Sequence, residues 1–512
     1  MSRRSVRAGH AIIAPDRGIE HPLNPCSIRQ LYRRAAALTA NATRRTGLLV
    51  GLAVLAGCTA YVARPIDPVQ TEAAFRQRSF GDPRLQAYIA ANAPPDNPTG
   101  PGRFGFGALT LVAMFYNPDI QAARDRVGLA SAAEIVAGTI PNPAIAIGPS
   151  QETGLAGTGF LNSIVGPTFD IPIETAGKRG YRMAQARHLS AARAYDLLNA
   201  RWSVRGNVRS GLVAYLAATR TLALRQTEES LQSALLTLLE KSLAAGQAAA
   251  PTVFGARAAV LDARLAAKVA GSAVIDAKSA LALALGVPAS ALDGIAIAWP
   301  GFDRLPDSAG VLRDDTRKTG LLDRADLQAA LAFYAAAEST LQLEVAKQYP
   351  DIHLGPSYQY QERANFYTLG FSIPLPVFDQ NQGPIAEAAA QRKQAATQFV
   401  TLQEHVIQEA DRALAQYVGA TSALADVDAA LILARRQEHA AQRLFDTGQG
   451  DSLSLGAARL QRALTERGRL DALVRAQTAL GLLEDAVQRP LGGEAPLPPI
   501  PLAPVVDVEG AT

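Results

Sequence analysis

Histidines, cysteines and glycine-rich turns are where catalytic or metal-binding chemistry would have to reside in this 512-residue chain, and their spacing offers neither. Six His and two Cys are too few and too scattered for a disulfide scaffold or a soft-metal store. His188, His405 and His439 fall on long helical stretches with no His or Cys one turn away, so each reads as a solvated or interfacial side chain rather than a ligand. Gly102 to Gly107 (GRFGFG) has the glycines of a phosphate-cradling turn but not the strand-then-helix context, and reads as a flexible loop. No HExxH, GxxxxGK, CxxC or GxSxG pattern occurs. The expectation is a chain that is not an enzyme and has no cofactor and no metal site.

Composition narrows the class further. Hydrophobic residues make up 48% and charged residues 19%, which supplies a large core and excludes whole-chain disorder. The net charge of +4 is unevenly spread: nine Arg against Asp16 and Glu20 give the first 57 residues +7, which leaves −3 for the rest. A basic nucleic-acid surface therefore lacks support, and no nucleic-acid partner is expected. Arg44 and Arg45 precede Gly47 to Gly57 (GLLVGLAVLAG), an apolar run well short of the ~20 residues that span a bilayer and suited to a signal-peptide core. Leu55-Ala56-Gly57-Cys58 resembles a bacterial lipobox, in which small residues admit the peptidase and the Cys thiol accepts a diacylglycerol. The resemblance makes Cys58 the lipidated mature N-terminus. Thr59, where an Asp would retain the protein in the inner membrane, implies the outer membrane. Residues 1 to 46 form an unusually long basic flank, as a start site placed too far upstream would produce.

Behind this leader the elements come in two copies, at a period of about 205 residues that is far longer than a solenoid repeat. Asp119-Ile120-Gln121-Ala122-Ala123 matches Asp326-Leu327-Gln328-Ala329-Ala330, and Gly148-Pro149-Ser150 matches Gly355-Pro356-Ser357. Phe169, Ile171 and Pro172 match Phe371, Ile373 and Pro374, while Gly246-Gln247 and Arg257 match Gly448-Gln449 and Arg459. The expected organisation is a leader (1–57), a lipidated N-terminal segment (58–107), a first repeat (108–286), a Pro-, Gly- and Asp-rich linker (287–319), a second repeat (320–492) and a Pro-rich extended or disordered tail (493–512). Each repeat holds a helix, an extended hairpin, a very long helix, a Gly-marked break and another helix. The long runs, Ala184 to Leu243 and Ile385 to Asp446, are roughly 90 Å each at 1.5 Å per residue. In the second, Phe399, Val406, Ala413, Ala420, Val427, Ala434 and Ala441 recur every seventh position, accompanied by Ala410, Tyr417, Leu424, Leu431 and Phe445. This is a small-residue coiled-coil seam, which a simple intramolecular bundle would also show. Interspersed Arg, Glu and Gln mark it as water-exposed.

The expected strands alternate cleanly. Ile352, Leu354, Tyr358 and Tyr360 share one face, with Pro356 at the same phase. His353, Gly355, Ser357 and Gln359 share the other. Their partner strand sets Tyr367, Leu369, Phe371 and Ile373 against Thr368, Gly370 and Ser372. In the first repeat Ile145 and Ile147 alternate with Ala144, Ala146 and Gly148, and Phe169, Ile171 and Ile173 with Thr168 and Asp170. One greasy and one wet face suit a transmembrane β-barrel, and equally a half-buried soluble sheet. Read as a barrel, the wet face lines the lumen with His353, Ser357, Gln359, Thr368 and Ser372. Four strands cannot enclose a lumen, since the smallest membrane barrels need about eight. Two copies give a plugged eight-stranded barrel and three give twelve strands with room for a passage.

The lipobox, the twofold repeat, the two hairpins each followed by a very long helix, and the Gly-marked helical tips together resemble the TolC-type outer membrane factor family over residues 58 to about 492. Tyr349-Pro350-Asp351-Ile352 and the run from Ser372 to Gly383 (SIPLPVFDQNQG) are similar to its CzcC-like heavy-metal efflux members. The resemblance implies a mainly α fold with a small β part: a long α-helical coiled-coil barrel plus two β-hairpins per protomer, contributing to a trimeric 12-stranded transmembrane β-barrel. It implies a homotrimer in outer membrane lipid that serves as exit duct for a periplasmic adaptor (membrane fusion) protein and an inner-membrane pump of the RND type. The periplasmic docking tips would be Gly246, Gln247 and Thr252, and Gly448, Gln449 and Ser452, whose glycines also serve simply as turn formers. Acidic residues that constrict some family mouths would fall near Ser454 and Ala457, which carry no charge, although Asp451 is close. Divalent metal ions lead as cargo on the subfamily likeness, followed by drugs and by secreted protein. The reading from a different class is a lipid-anchored periplasmic coiled-coil scaffold with a soluble sheet.

Overall fold

Long uninterrupted helices follow from the sequence: Ala, Leu, Arg, Gln and Glu dominate and Pro is confined to helix starts. The computed structural model describes residues 61–92, 103–151, 163–307, 323–361, 364–493 and 497–498. Cys58 and the leader 1–57 lie outside them, as do 308–319 of the expected linker and most of the tail. In chain order the elements are α1 (Pro68–Arg76), α2 (Pro83–Asn92), β1 (Arg103–Phe104), α3 (Phe106–Tyr116), α4 (Pro118–Ala137), β2 (Ala144–Gln151), β3 (Ser163–Ile173), α5 (Lys178–Ala244), α6 (Ala250–Leu285), β4 (Ala296–Ile297), α7 (Ala325–Ala346), β5 (Ile352–Gln361), β6 (Ala364–Ser372), α8 (Gln382–Asp446) and α9 (Ser452–Val487).

The two repeats are matched in length. Helices α5 and α8 have 67 and 65 residues, and α6 and α9 have 36 each, so α5 extends about 100 Å. Both long helices begin earlier than periodicity placed them, at Lys178 and Gln382. Each is released by a residue in the left-handed conformation, Gly177 (φ 71°) and Asn381 (φ 63°), the conformation that ends the preceding extended chain. The seam expected in α8 buries Val406, Ala410, Ala413, Tyr417, Leu424, Leu431 and Ala434. Phe445 is exposed, because it lies at the hairpin tip where no neighbouring helix continues. A stretch of α8 is long and apolar enough to cross a bilayer by composition alone, with 22% of it buried within the chain.

The four long strands form one antiparallel sheet in the order β2-β3-β5-β6. The hairpin of each repeat is thus joined to the other through β3 and β5, and β2 and β6 are its edges. The main core lies where α3, nearly all buried, meets α5, α6 and α9 through Leu109, Val112, Leu212, Leu281, Leu285 and Leu473.

One expectation about a loop is corrected. From Arg103 the GRFGFG segment is not a flexible loop: Arg103–Phe104 pairs in parallel with Ala296–Ile297, and Phe104 and Phe106 are buried. The linker from Val287, as far as it is described, packs into the core, where Val287, Trp299 and Phe302 are buried. Burying two large aromatic side chains outweighs the turn-forming tendency of the surrounding Pro and Gly. In the tail, Leu497 packs against the same core, and the Pro498 carbonyl accepts from Arg201 Nη2 at 2.5 Å.

Candidate functional site

The sheet register sorts the alternating residues onto two faces. His353 stands opposite Ser372 and Ser357 opposite Thr368, and Thr168 of β3 pairs with Ser357 from the other side. His353, Ser357, Gln359, Thr368 and Ser372 therefore share one face with Thr168 and Asp170. Gln359 is opposite Phe366, an aromatic that interrupts the polar face near the far end of the hairpin. Ile171 and Leu354, Leu354 and Phe371, and Tyr358 and Tyr367 pair on the other face. That face is open: Ile147, Tyr367, Leu369 and Phe371 are each 72% exposed or more, a contiguous apolar surface that water disfavours.

Across the joint between the repeats, His353 Nδ1 lies 2.9 Å from Asp170 Oδ1. Alternation placed both residues on the wet face but gave no sign that they meet. Just below, the strands are clamped to the helices. Lys178 Nζ donates to Asp351 Oδ1 at 2.7 Å, which also accepts from Thr175 N at 2.9 Å. Arg182 grips Glu174 through both carboxylate oxygens, at 2.6 and 3.1 Å. Among the described residues no three His, Cys, Asp or Glu side chains are grouped to hold a metal.

At the other end of the long helices, Gly246 (φ 73°) and Gly448 (φ 71°) both take the left-handed conformation. Behind each, the next amide folds back: Gln247 N donates to Ser242 O at 2.8 Å and Gln449 N to Leu444 O at 2.9 Å. This satisfies carbonyls that the helix end leaves unpaired. Thr252 lies in the first turn of α6, and Ser452 is the first residue of α9. Asp451 Oδ1 accepts from Ser454 N at 2.6 Å, and this amide holds the carboxyl below its ordinary range. The Asp451 carboxylate is therefore a helix cap.

A polar knot at the base of α9 was not anticipated. Arg205 of α5 donates to Glu484 Oε2 at 2.9 Å, and Arg209 Nη2 to Gln477 Oε1 at 2.9 Å. Glu484 is fully buried, and its Oε1 accepts from the amides of Leu491 and Gly492. Gln477 Nε2 holds the carbonyls of Gly301 and Phe302 at 2.9 and 2.7 Å. Arg220 pairs with Asp303 at 2.6 and 2.8 Å and stacks on Phe302, which holds the Asp303 carboxyl low. Burial pushes the adjacent Asp485 carboxyl up to about 6. The spacing of single charges along long helices carries no mark of this knot.

The geometry agrees with known proteins. Residues 113–287 match the family described as outer membrane efflux protein. Over 307 residues the chain is 25% identical to the cobalt-zinc-cadmium resistance protein CzcC of Cupriavidus metallidurans, covering 57% of this chain and 69% of that protein. The fold is shared with the outer-membrane channel OprN (TM-score 0.61, 18% identity, 76% of this chain and 90% of that one). It is shared equally with the outer membrane protein VceC of Vibrio cholerae (TM-score 0.60, 19% identity, 75% and 96%). At such identities the solved structures speak for the fold alone. The likeness to the outer membrane efflux protein family is thus carried by residues 113–287 and by the curated relative.

Proposed function

We propose that this chain is the outer membrane exit channel of a tripartite efflux system, built as a homotrimer whose twelve pooled strands form one transmembrane barrel. The observation that carries the reading is the four-stranded sheet: β2 and β6 are edges, one face is exposed and apolar, and the other is small and polar. Edge strands with unpaired amides and carbonyls seek further strands, and an apolar exposed face requires lipid or protein cover. Three copies related by a closed rotation meet both demands and leave a wet interior. The paired helical hairpins then form a periplasmic conduit, with Gly246, Gln247, Thr252, Gly448, Gln449 and Ser452 at the mouth that receives the adaptor. An inner-membrane pump of the RND type supplies the energy. Acylation of Cys58 anchors the chain in outer membrane lipid. Likeness to CzcC makes divalent heavy-metal ions the favoured cargo.

The test is detergent extraction followed by mass measurement and planar-bilayer recording. A trimer that conducts ions is expected. A monomer released intact by removing the lipid overturns the channel and leaves a lipid-anchored periplasmic scaffold. Labelled palmitate should enter the wild-type chain and not Cys58→Ser; equal labelling of both would sink the lipid assignment. Bulky replacement of Gly448 or Gln449 should abolish export while the trimer persists; full export by well-assembled variants would remove their docking role.

A further inference from the structure

Among the described residues of the polar face one imidazole has a carboxylate partner, and that pair spans the two repeats. Asp170 belongs to β3 and His353 to β5, their side chains meeting at 2.9 Å with 39% of the imidazole and 54% of the carboxylate exposed. An ionised carboxylate only accepts, so the neutral imidazole presents Nδ1–H to Asp170 and keeps the Nε2 lone pair. A carboxylate behind a histidine in this way fixes the ring and raises its basicity toward a metal ion. The surroundings leave the approach open. His353 is flanked across the strands by Pro172 and Ser372, and Gly355, two residues along the same face, stands opposite Gly370. The Asp351 carboxylate, two residues before His353, is paired with Lys178 at 2.7 Å, so that ammonium is already neutralised by a partner.

We propose that Nε2 of His353, oriented by Asp170, is a transit site for a borderline divalent transition-metal ion such as Zn2+. This inference deepens the channel reading and rests on it for the direction the face points. One imidazole nitrogen is far short of the four protein ligands of a structural zinc site, so the ion keeps most of its water and leaves readily. That is what conduction requires: binding favourable enough to enter and weak enough to depart. Nitrogen ligation discriminates against Mg2+, which prefers oxygen and dehydrates reluctantly. In a homotrimer the site occurs three times around the lumen.

Two measurements on the full-length protein test this. In planar bilayers, Zn2+ should reduce the K+ current reversibly at neutral pH and Mg2+ should not. His353→Ala should remove the block with the K+ current retained, and Asp170→Asn should weaken it about tenfold, the scale of losing an orienting partner. In detergent, with 15N-histidine label, Co2+ should broaden the resonance that is missing from His353→Ala before those of the other histidines. Zn2+ block that persists in His353→Ala, or a His353 resonance indifferent to Co2+, overturns the site. Protein that forms no pore yet shows Co2+ broadening at His353 defeats the channel reading and leaves the site standing. A K+-conducting pore indifferent to Zn2+ defeats the site alone.

Discussion

The base of α9 and the helical tips use the same ion-pair chemistry to opposite effect. At the base, Arg205 and Glu484 are both nearly inaccessible, with side chains 3% and 0% exposed, and every oxygen of Glu484 is engaged. Near the tips, Arg257 and Glu240 bridge α5 and α6 at 2.8 Å with sides 56% and 41% exposed. Their counterparts in the second repeat are Arg459 and Gln442, at 2.8 Å. A buried pair is costly to break because the remaining charge has nowhere to go, whereas an exposed one trades easily with water. The chain is thus locked where its halves cross and lightly fastened where the proposed mouth must accept a partner.

The largest expected effect tests the lock. Arg205→Ala should lose about 3–5 kcal/mol in denaturant unfolding, the cost of stranding a buried carboxylate. A loss no greater than that of a tip variant would erase the contrast. Asp485 sharpens it through pH. Its carboxyl is raised to about 6 by burial, with the Glu484 charge adding to the shift. Its favourable contribution is therefore complete below the unfolded-state value of ~3.9 and is lost as pH rises through about 6. Asp485→Asn should gain on wild type between pH 5 and 8 in thermal melts, by up to about 3 kcal/mol; a pH-independent gap would show that the group does not titrate there. Gly448→Val should cost about 1–2 kcal/mol, because a branched side chain resists the left-handed conformation. Its effect should appear as faster hydrogen exchange confined to the last turn of α8. Arg257→Ala should be the mildest, a few tenths of a kcal/mol and less in high salt.

Local periodicity made much of this molecule legible. The long helices, the seam through Val406, Ala413, Tyr417 and Leu424, and the two faces of each strand all follow from spacing within a few turns or residues. The glycines at 246 and 448 stood out because the repeats place them at equivalent points. What stayed hidden depends on contacts between distant segments. Arg205 and Glu484 are 279 positions apart and Asp170 and His353 are 183 apart, and no local pattern links them. The packing of the linker was not legible because Pro and Gly are abundant around Trp299 and Phe302. Two buried rings, beside backbone carbonyls of Gly301 and Phe302 that accept from Gln477 Nε2, turned a composition typical of loops into part of the interior.

The two bare margins of the sheet bear on the protein's early life. In the proposed trimer β2 and β6 find mates only on assembly, so a newly made chain would first display sticky backbone alongside a greasy plane. This combination invites mispairing with any extended peptide nearby. Safe delivery therefore calls for escort by a holding factor, or for encounters between sister chains fast enough to outrun clumping. Expression level, more than intrinsic robustness, then sets the yield of finished particles.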